Sequence, residues 1–311
     1  MKVVACSPSS EFRTTIDSLV SESFFASPDF ADTWRTMGGT PYYHVIQDAG
    51  EIRAVLPGVT FGRGPFRRLY AMPNGCYGGL FVRDANRSET AEVAGALMGA
   101  LSSVGFMKCF IFDFGRSLES YLPSTVEVRQ CRTTLVDISP TWQPPNKKLR
   151  QQIHKAERIG LHIEPFCADS HLQQFLSLVK STSERIGPPR RMRYTESFFR
   201  DLAALALKDR RLRWLWCEHD GKPVSSNIFV VEANSLLHWQ AYFNTDFSHL
   251  QAAKYIPFAM ARAAAQEGIT QLNLGATPEN APGVEYFKEK WGGRPCHYNC
   301  YVRESFFGKL L

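Results

Sequence analysis

The stretch RWLWCEHDGKPVSSNIFVVEANSLLHWQAY, residues 213–242, sets the architecture of the chain. Residues 213–217 and 224–231 are mainly apolar, aromatic and β-branched, the composition that suits a pleated, half-buried surface. Between them stands His219-Asp220-Gly221-Lys222. Asp-Gly supports a tight hairpin because both residues tolerate the left-handed backbone that a two-residue turn needs. Residues 236–242 then add a third strand.

Beyond residue 250 the apolar period changes. Ala252, Ile256, Ala259, Met260 and Ala263 recur every three or four residues, which predicts a helix over 251–267 with Gly268 at its end. Residues 269–274 read as the strand that follows. Upstream, Pro144-Pro145 interrupts regular structure, and a helix begins near Asn146. It carries Leu149, Ile153 and Ala156 on one stripe, with Lys147, Arg150, His154 and Arg158 on another, and Gly160 ends it. Helical spacing recurs at Leu172, Phe175, Leu176 and Val179, and again at Phe198, Leu202 and Leu205.

The first half repeats this order more faintly. A helix is expected over 12–24, a hairpin from 42–46 to 52–56 around Asp48-Ala49-Gly50, a strand at 68–71, a helix over 89–104 and a strand at 107–112. The expected fold is therefore α/β (α+β), with two related domains, 1–138 and 139–311. Each has a mixed central sheet flanked by helices.

The chain has 311 residues, 36 Lys and Arg against 30 Asp and Glu, a net charge of +6, 44% hydrophobic and 21% charged residues. That composition belongs to a globular protein and excludes a disordered or collagen-like chain. Residues 93–107, the longest relevant apolar run, are too short for an ordinary membrane span, and MKVVACSPSSEF lacks the apolar core of a secretory signal. A cytoplasmic protein without an integral membrane segment is expected. The eight cysteines are scattered through a chain that needs no staples, so they read as reduced. No second CxxC pair or separated His pair joins Cys296, His297 and Cys300, and no metal is expected. Without a Walker-A sequence or a GxGxxG fingerprint, nucleotide hydrolysis and Rossmann redox chemistry lose their strongest support.

The positive charge is local. Lys147, Lys148, Arg150, Lys155 and Arg158 form one cluster, and Arg190, Arg191 and Arg193 another. Such clusters suit either a solvated face or a polyanion such as tRNA, CoA or a nucleotide-linked precursor, but nothing here describes a double-stranded DNA groove. The polar loop Asn244-Thr245-Asp246-Phe247-Ser248-His249 opens the helix over 251–267. Its free N–H groups favour an anion, although the same arrangement serves as a simple cap. Cys217 sits in a strand without a His partner, which argues against a thiol nucleophile.

Four stretches, taken in order, carry a family resemblance: KKLRQQIHKAERIGLHIE (147–164), LRWLWCEHDGKPVSSNIFVV (212–231), AKYIPFAMARAAAQEGITQLNLG (253–275) and VEYFKEKWGG (284–293). Over most of its length the chain resembles the GNAT-like acyltransferases grouped with the Fem-type peptidoglycan aminoacyltransferases and the BioF2-like, cellulose-biosynthesis-associated acetyltransferases. The resemblance implies tandem GNAT folds, in which a degenerate first domain shapes the acceptor site and the second holds an activated acyl donor. It implies no tightly bound cofactor. Acyl-CoA is the expected co-substrate and aminoacyl-tRNA the alternative. The acceptor is a primary amine on a small molecule, sugar or peptide, or, with tRNA as donor, a peptidoglycan precursor, with peripheral contact to envelope precursors. A noncatalytic binding scaffold is the third reading.

The chemistry so implied is attack of an amine on an ester or thioester carbonyl, which needs close placement, proton removal and stabilisation of the oxyanion. In the resemblance, a splayed strand at His238-Trp239-Gln240-Ala241 offers backbone donors to the acyl group, and residues 246–251 place donor phosphates at the helix opening. Glu285, His238 and Asp246 are the candidate catalytic groups. Gln240, His249, Gln251 and Lys288 are candidates for holding the donor. Trp34, Tyr77, Tyr242 and Tyr286 are candidates for the substrate, and Lys147, Arg150, Arg190 and Arg191 make the basic patch. Each has a plainer alternative: Asp246 a cap, His238 a structural hydrogen bond, Lys288 an exposed lysine on a short amphipathic helix, Trp34 and Tyr77 core packing. The usual Q/R-x-x-G-x-G/A phosphate motif is replaced by Ser248-His249-Leu250-Gln251-Ala252-Ala253, which keeps aminoacyl-tRNA open as donor.

Overall fold

The computed structural model describes all residues except 10, 84–86, 104, 116–117, 119–125, 187–192, 278–281 and 306–311, and leaves aside the side chains of 87, 88 and 186. The fold is α+β, and the chain forms two compact units, Met1–Cys131 with His297–Leu311, and Arg132–Cys296.

The first unit contains β1 (Lys2–Cys6), α1 (Arg13–Leu19), α2 (Pro28–Thr33), β2 (Thr40–Asp48), β3 (Glu51–Phe61), β4 (Arg68–Ala71), β5 (Phe81–Val82), α3 (Arg87–Ser103) and β6 (Lys108–Asp113). The second holds most of β7 (Glu127–Asp137), then α4 (Lys147–Ile159), β8 (His162–Pro165), α5 (Ala168–Ile186), α6 (Glu196–Ala206), β9 (Leu212–His219), β10 (Lys222–Glu232), β11 (Ser235–Phe243), α7 (Ala252–Gln266), β12 (Gln271–Ala276) and α8 (Pro282–Glu289). The last strand, β13 (Arg294–Glu304), pairs antiparallel with β6 through residues 299–304, inside the first unit.

In the second unit the strands run β7-β12-β11-β10-β9-β8, antiparallel except for the β11–β12 pair. Helix α7 makes the crossover that this parallel pair requires. The hairpin turns through Asp220 and Gly221 with φ of 51° and 69°, the consecutive left-handed residues anticipated from Asp-Gly. One face of the sheet packs Phe229, Leu236 and Leu272 against Leu149 and Ile153 of α4 and Ile256 and Ala261 of α7, all buried. The other face is aromatic. Phe175 of α5 and Phe199 of α6 meet edge to face at 4.8 Å, and both pack on Trp214 and Tyr242.

The first unit repeats the plan with β1-β2-β3-β4-β6-β13, in which β4 and β6 are the parallel pair and α3 the crossover. Val93, Leu97 and Leu101 of α3 cover Ile46, Ala54, Leu56 and Leu69. Helix α1 is shorter than the 12–24 expected: Phe24 and Phe25 leave the helix and pack on Phe30, all three with no exposed surface. Neither β1 nor β8, each four or five residues long at a sheet edge, was legible from periodicity. Among the described residues no helix is long and apolar enough to cross a membrane. The eight cysteines are free thiols.

Candidate functional site

The second unit's parallel pair is open at one end. Ser235, Leu236 and Leu237 pair with Gln271, Leu272 and Asn273, and there the pairing stops, although β11 continues to Phe243 and β12 to Ala276. The parting coincides with a bulge: Phe229 pairs with His238 and Ile228 with Gln240, so Trp239 is the extra residue of β11 at the register shift. A bulge bends its strand and strengthens the local twist, which turns residues 238–243 away from β12.

Polar side chains gather where the strands part. Asn273 Oδ1 accepts from Thr133 Oγ1 at 2.5 Å and from the Gly275 amide at 2.9 Å. Gly275 has φ of 76°, and a Cβ there would stand 3.3 Å from the His238 carbonyl oxygen, so a side chain is strained twice over. Lys288 reaches this point from α8. Its Nζ donates to Gly275 O at 2.6 Å, Ala276 O at 3.0 Å and Thr277 Oγ1 at 3.0 Å. All three ammonium donors thus grip the end of β12. The side chain is buried, contrary to the exposed lysine that its short helix allowed. Burial, and secondarily the Arg132 guanidinium, push it down to about 8.

His238 stands on the facing strand, half-buried, its ring stacked on Phe229 at 4.6 Å and 16°. Its Nε2 lies 3.1 Å from Asn227 Oδ1. Burial, with the Lys288 charge adding to it, pushes the imidazole down to about 4, so it is neutral at pH 7. Gln240 Oε1 accepts from the Tyr242 hydroxyl at 3.3 Å, and burial pushes that phenol up.

The opening of α7 has a different character. Asn244 caps the short 3-10 turn Thr245–Leu250 by accepting from the Asp246 amide at 3.1 Å. Asp246 and His249 are exposed, and His249 Nδ1 lies 3.2 Å from Asp246 O. Gln251 adopts φ of 61° and gives α7 no side-chain cap. Its amide instead donates to Ser248 O at 3.1 Å and accepts from Lys254 Nζ at 2.5 Å. Lys254 is pushed down by burial and by the nearby Lys290 charge.

The remaining candidates lie apart from this cluster or are otherwise engaged. Glu285 pairs with Arg132 at 2.8 Å and is close to half exposed. Tyr286 is exposed, with the Lys290 ammonium 3.8 Å from its ring centre. Lys147 is exposed on α4, whereas Arg150 donates to Pro144 O and Pro145 O at 2.7 Å each and so braces the entry to that helix. Arg190 and Arg191 lie outside the described residues. In the first unit Trp34 has no exposed surface, and Tyr77 is buried and stacked on Phe114 at 4.5 Å. Both rings are core members there. Sequence reasoning missed Asn227, Asn273 and Thr133. The polar run Ser225-Ser226-Asn227 inside an otherwise apolar strand was the available signal, since three buried polar groups in a row need partners. Among the described residues no group of three or more His, Cys, Asp or Glu could hold a metal ion.

Residues 146–289 match the family of acetyltransferase (GNAT) domains. The match covers α4 to α8, and with it both strands of the opening. Among solved structures, the crystal structure of FemX is similar with a TM-score of 0.70 at 12% identity, over 96% of this chain and 97% of that one. The C-terminal domain (DUF2156) of a putative lysylphosphatidylglycerol synthetase from Agrobacterium fabrum gives 0.60 at 12% identity, over 96% and 92%. A tandem GNAT protein from the clavulanic acid biosynthesis pathway gives 0.56 at 11% identity, over 97% and 98%. No curated protein matches the chain. The class is thus set at the level of the fold: a tandem GNAT-like architecture with a GNAT-type acyltransferase fold.

Proposed function

We propose that the protein is an aminoacyltransferase that moves an aminoacyl group from the ester of an aminoacyl-tRNA to a primary amine on a small molecule, sugar or peptide. The observation that carries this reading is the parting of β11 from β12 beyond Leu237 and Asn273, beside a helix opening whose polar groups satisfy one another. An open strand edge leaves backbone groups for an extended acyl ester to pair with, and places its carbonyl against fixed donors. The α7 opening bears on the donor. Gln251, Ser248 and Lys254 are engaged among themselves, which suits a polynucleotide held mainly elsewhere better than a pyrophosphate seated in this turn. The exposed Lys147, Lys148, Lys155 and Arg158 on α4 supply a surface for tRNA phosphates. Likeness to FemX along nearly the whole chain supports the same choice.

In this reading the second unit binds the donor and the first shapes the acceptor site. Close placement supplies much of the rate, Lys288 keeps the mouth of the opening in shape, and Glu285, held by Arg132, attracts the incoming ammonium. Aminoacyl-tRNA is consumed as a co-substrate, with no resident cofactor. Acyl-CoA is the second reading, favoured by the match of residues 146–289 to acetyltransferase domains.

The test is transfer itself. The protein is incubated with a panel of aminoacyl-tRNAs, then of acyl-CoAs, over a mixture of amine acceptors, and product mass is followed. An aminoacyl mass increment only with tRNA present is the expected result. An acyl increment from CoA establishes the second reading, and no increment from either rejects both.

A further inference from the structure

Behind the opening runs a chain of buried polar groups that an apolar strand would not carry without cause. Ser225, Asn227 and Cys217 have no exposed surface. Asn227 Nδ2 donates to Ser225 Oγ at 3.3 Å, and Ser225 also hydrogen-bonds the Cys217 thiol. Burial pushes that thiol up to about 12, so it is an un-ionised partner. Since the Asn227 amide nitrogen is committed to Ser225, the atom turned to His238 is the carbonyl Oδ1, which only accepts. The imidazole nitrogen 3.1 Å away, Nε2, therefore carries the proton. Stacking on Phe229 fixes the ring plane, and among the described residues Nδ1 has no hydrogen-bond partner. His238 is also the first residue of β11 beyond the last pair with β12.

We propose that Asn227 is a positioning residue that holds His238 as the Nε2-protonated tautomer, so that the Nδ1 lone pair is the acceptor the ring offers where β11 leaves β12. The consequence for transfer rests on the reading above; the tautomer does not. In transfer, the attacking amine donates an N–H hydrogen bond to Nδ1, which orients its lone pair toward the donor carbonyl; the new C–N bond forms as the ester C–O bond breaks, the proton that the amine loses goes to the departing ribose oxygen of the tRNA, and no bond to His238 forms. The neutral ring suits this role, because an imidazolium has no acceptor. Among the charged groups described, Lys288 bears on the ring and helps to keep it neutral.

The experiment is histidine 15N spectroscopy on the full chain at pH 7, with His238→Gln to assign the resonance. Nδ1 in the unprotonated range and Nε2 in the protonated range is expected. Asn227→Asp, which keeps an oxygen acceptor and adds charge, retains the tautomer and moves the ring's titration upward from about 4. Asn227→Leu abolishes the preference, and in a transferring protein lowers kcat by about tenfold with donor KM unchanged. Ser225→Ala, a milder change that frees the Asn227 amide to rotate, weakens the preference in the same direction and serves where Asn227→Leu does not fold. A wild-type ring protonated at Nδ1, or a tautomer indifferent to both Asn227→Leu and Ser225→Ala, overturns the assignment. A correct tautomer with unchanged kcat in Asn227→Leu overturns the catalytic consequence alone. A correct tautomer in a protein that transfers nothing leaves Asn227 in its role and removes the reading of function.

Discussion

The two units share one plan and differ at the same joint. In the second, the parallel pair stops at Leu237 and Asn273, and both strands run on unpaired with each other. In the first, the parallel pair reaches Ala71 and Ile111, the last residue of β4, and the chain then closes over the end. The Gly78 amide donates to Phe112 O at 2.9 Å. A Cβ on Gly78 would lie 2.5 Å from Ala71 O, so this approach is open to glycine alone. Where the second unit presents a parted edge lined by His238, Asn273 and Lys288, the first fills it with its own loop. The histidines follow suit. His238 has Asn227, whereas His44, 1% exposed, has no hydrogen bond to either ring nitrogen among the described residues. The same topology thus yields one unit whose parallel strands part early and one whose equivalent end is covered by its own chain.

The strongest way to break this contrast is to release the end of β12. Lys288→Met removes the ammonium donor from three partly buried or exposed acceptors, and the expected outcome is a loss of about 2–3 kcal/mol in denaturant titration together with roughly a 100-fold fall in kcat/KM for transfer. Lys288→Arg should not restore activity, because a planar fork cannot copy a compact three-donor ammonium.

Next in size is the acid response of the first unit. Burial lowers His44 from 6.5 to about 4, so between those values the unfolded chain binds more protons, and stability falls as pH drops through the window. The full shift corresponds to about 3 kcal/mol. His238 acts in the same direction, so the His44 share is read as the difference between wild type and His44→Leu. Unfolding titrations at pH 7 and pH 4 should show the variant losing less.

The smallest effects sharpen the comparison most. Gly275→Ala, at φ of 76° and against the His238 carbonyl, is expected to cost about 1–2 kcal/mol and to weaken donor binding. Gly78→Ala puts a Cβ 2.5 Å from Ala71 O, a tighter clash in the first unit, and should lower stability while leaving donor affinity unchanged. Paired thermal melts and donor titrations check both.

Much of this plan was legible in the residues. Asp220-Gly221 marked the hairpin, the spacing from Ala252 to Ala263 marked α7, and VEYFKEKWGG marked the helix that delivers Lys288. The parting was less legible. The strand expected over 269–274 runs to Ala276, and the two added residues are the ones whose carbonyls Lys288 grips. Periodicity could not find them, because Gly275 reads as a strand breaker and its reason for standing there is the His238 carbonyl from another strand. Long-range pairing likewise hid the partners of His238. Asn227 is eleven residues away and becomes a neighbour only when β10 pairs with β11. Trp34 and Tyr77 carried aromatic character but no indication of burial.

On the proposed function, the opening between β11 and β12 receives an activated acyl donor and its counterpart in the first unit does not. Amide hydrogen exchange tests this most directly, with the full chain titrated by a stable amide-linked alanyl-tRNA analogue and, separately, by acetyl-CoA. The account predicts slowed exchange at residues 238–243 with the tRNA analogue and no change at residues 71–79. Exchange unchanged at 238–243 with both probes, or protection confined to 71–79, would contradict it.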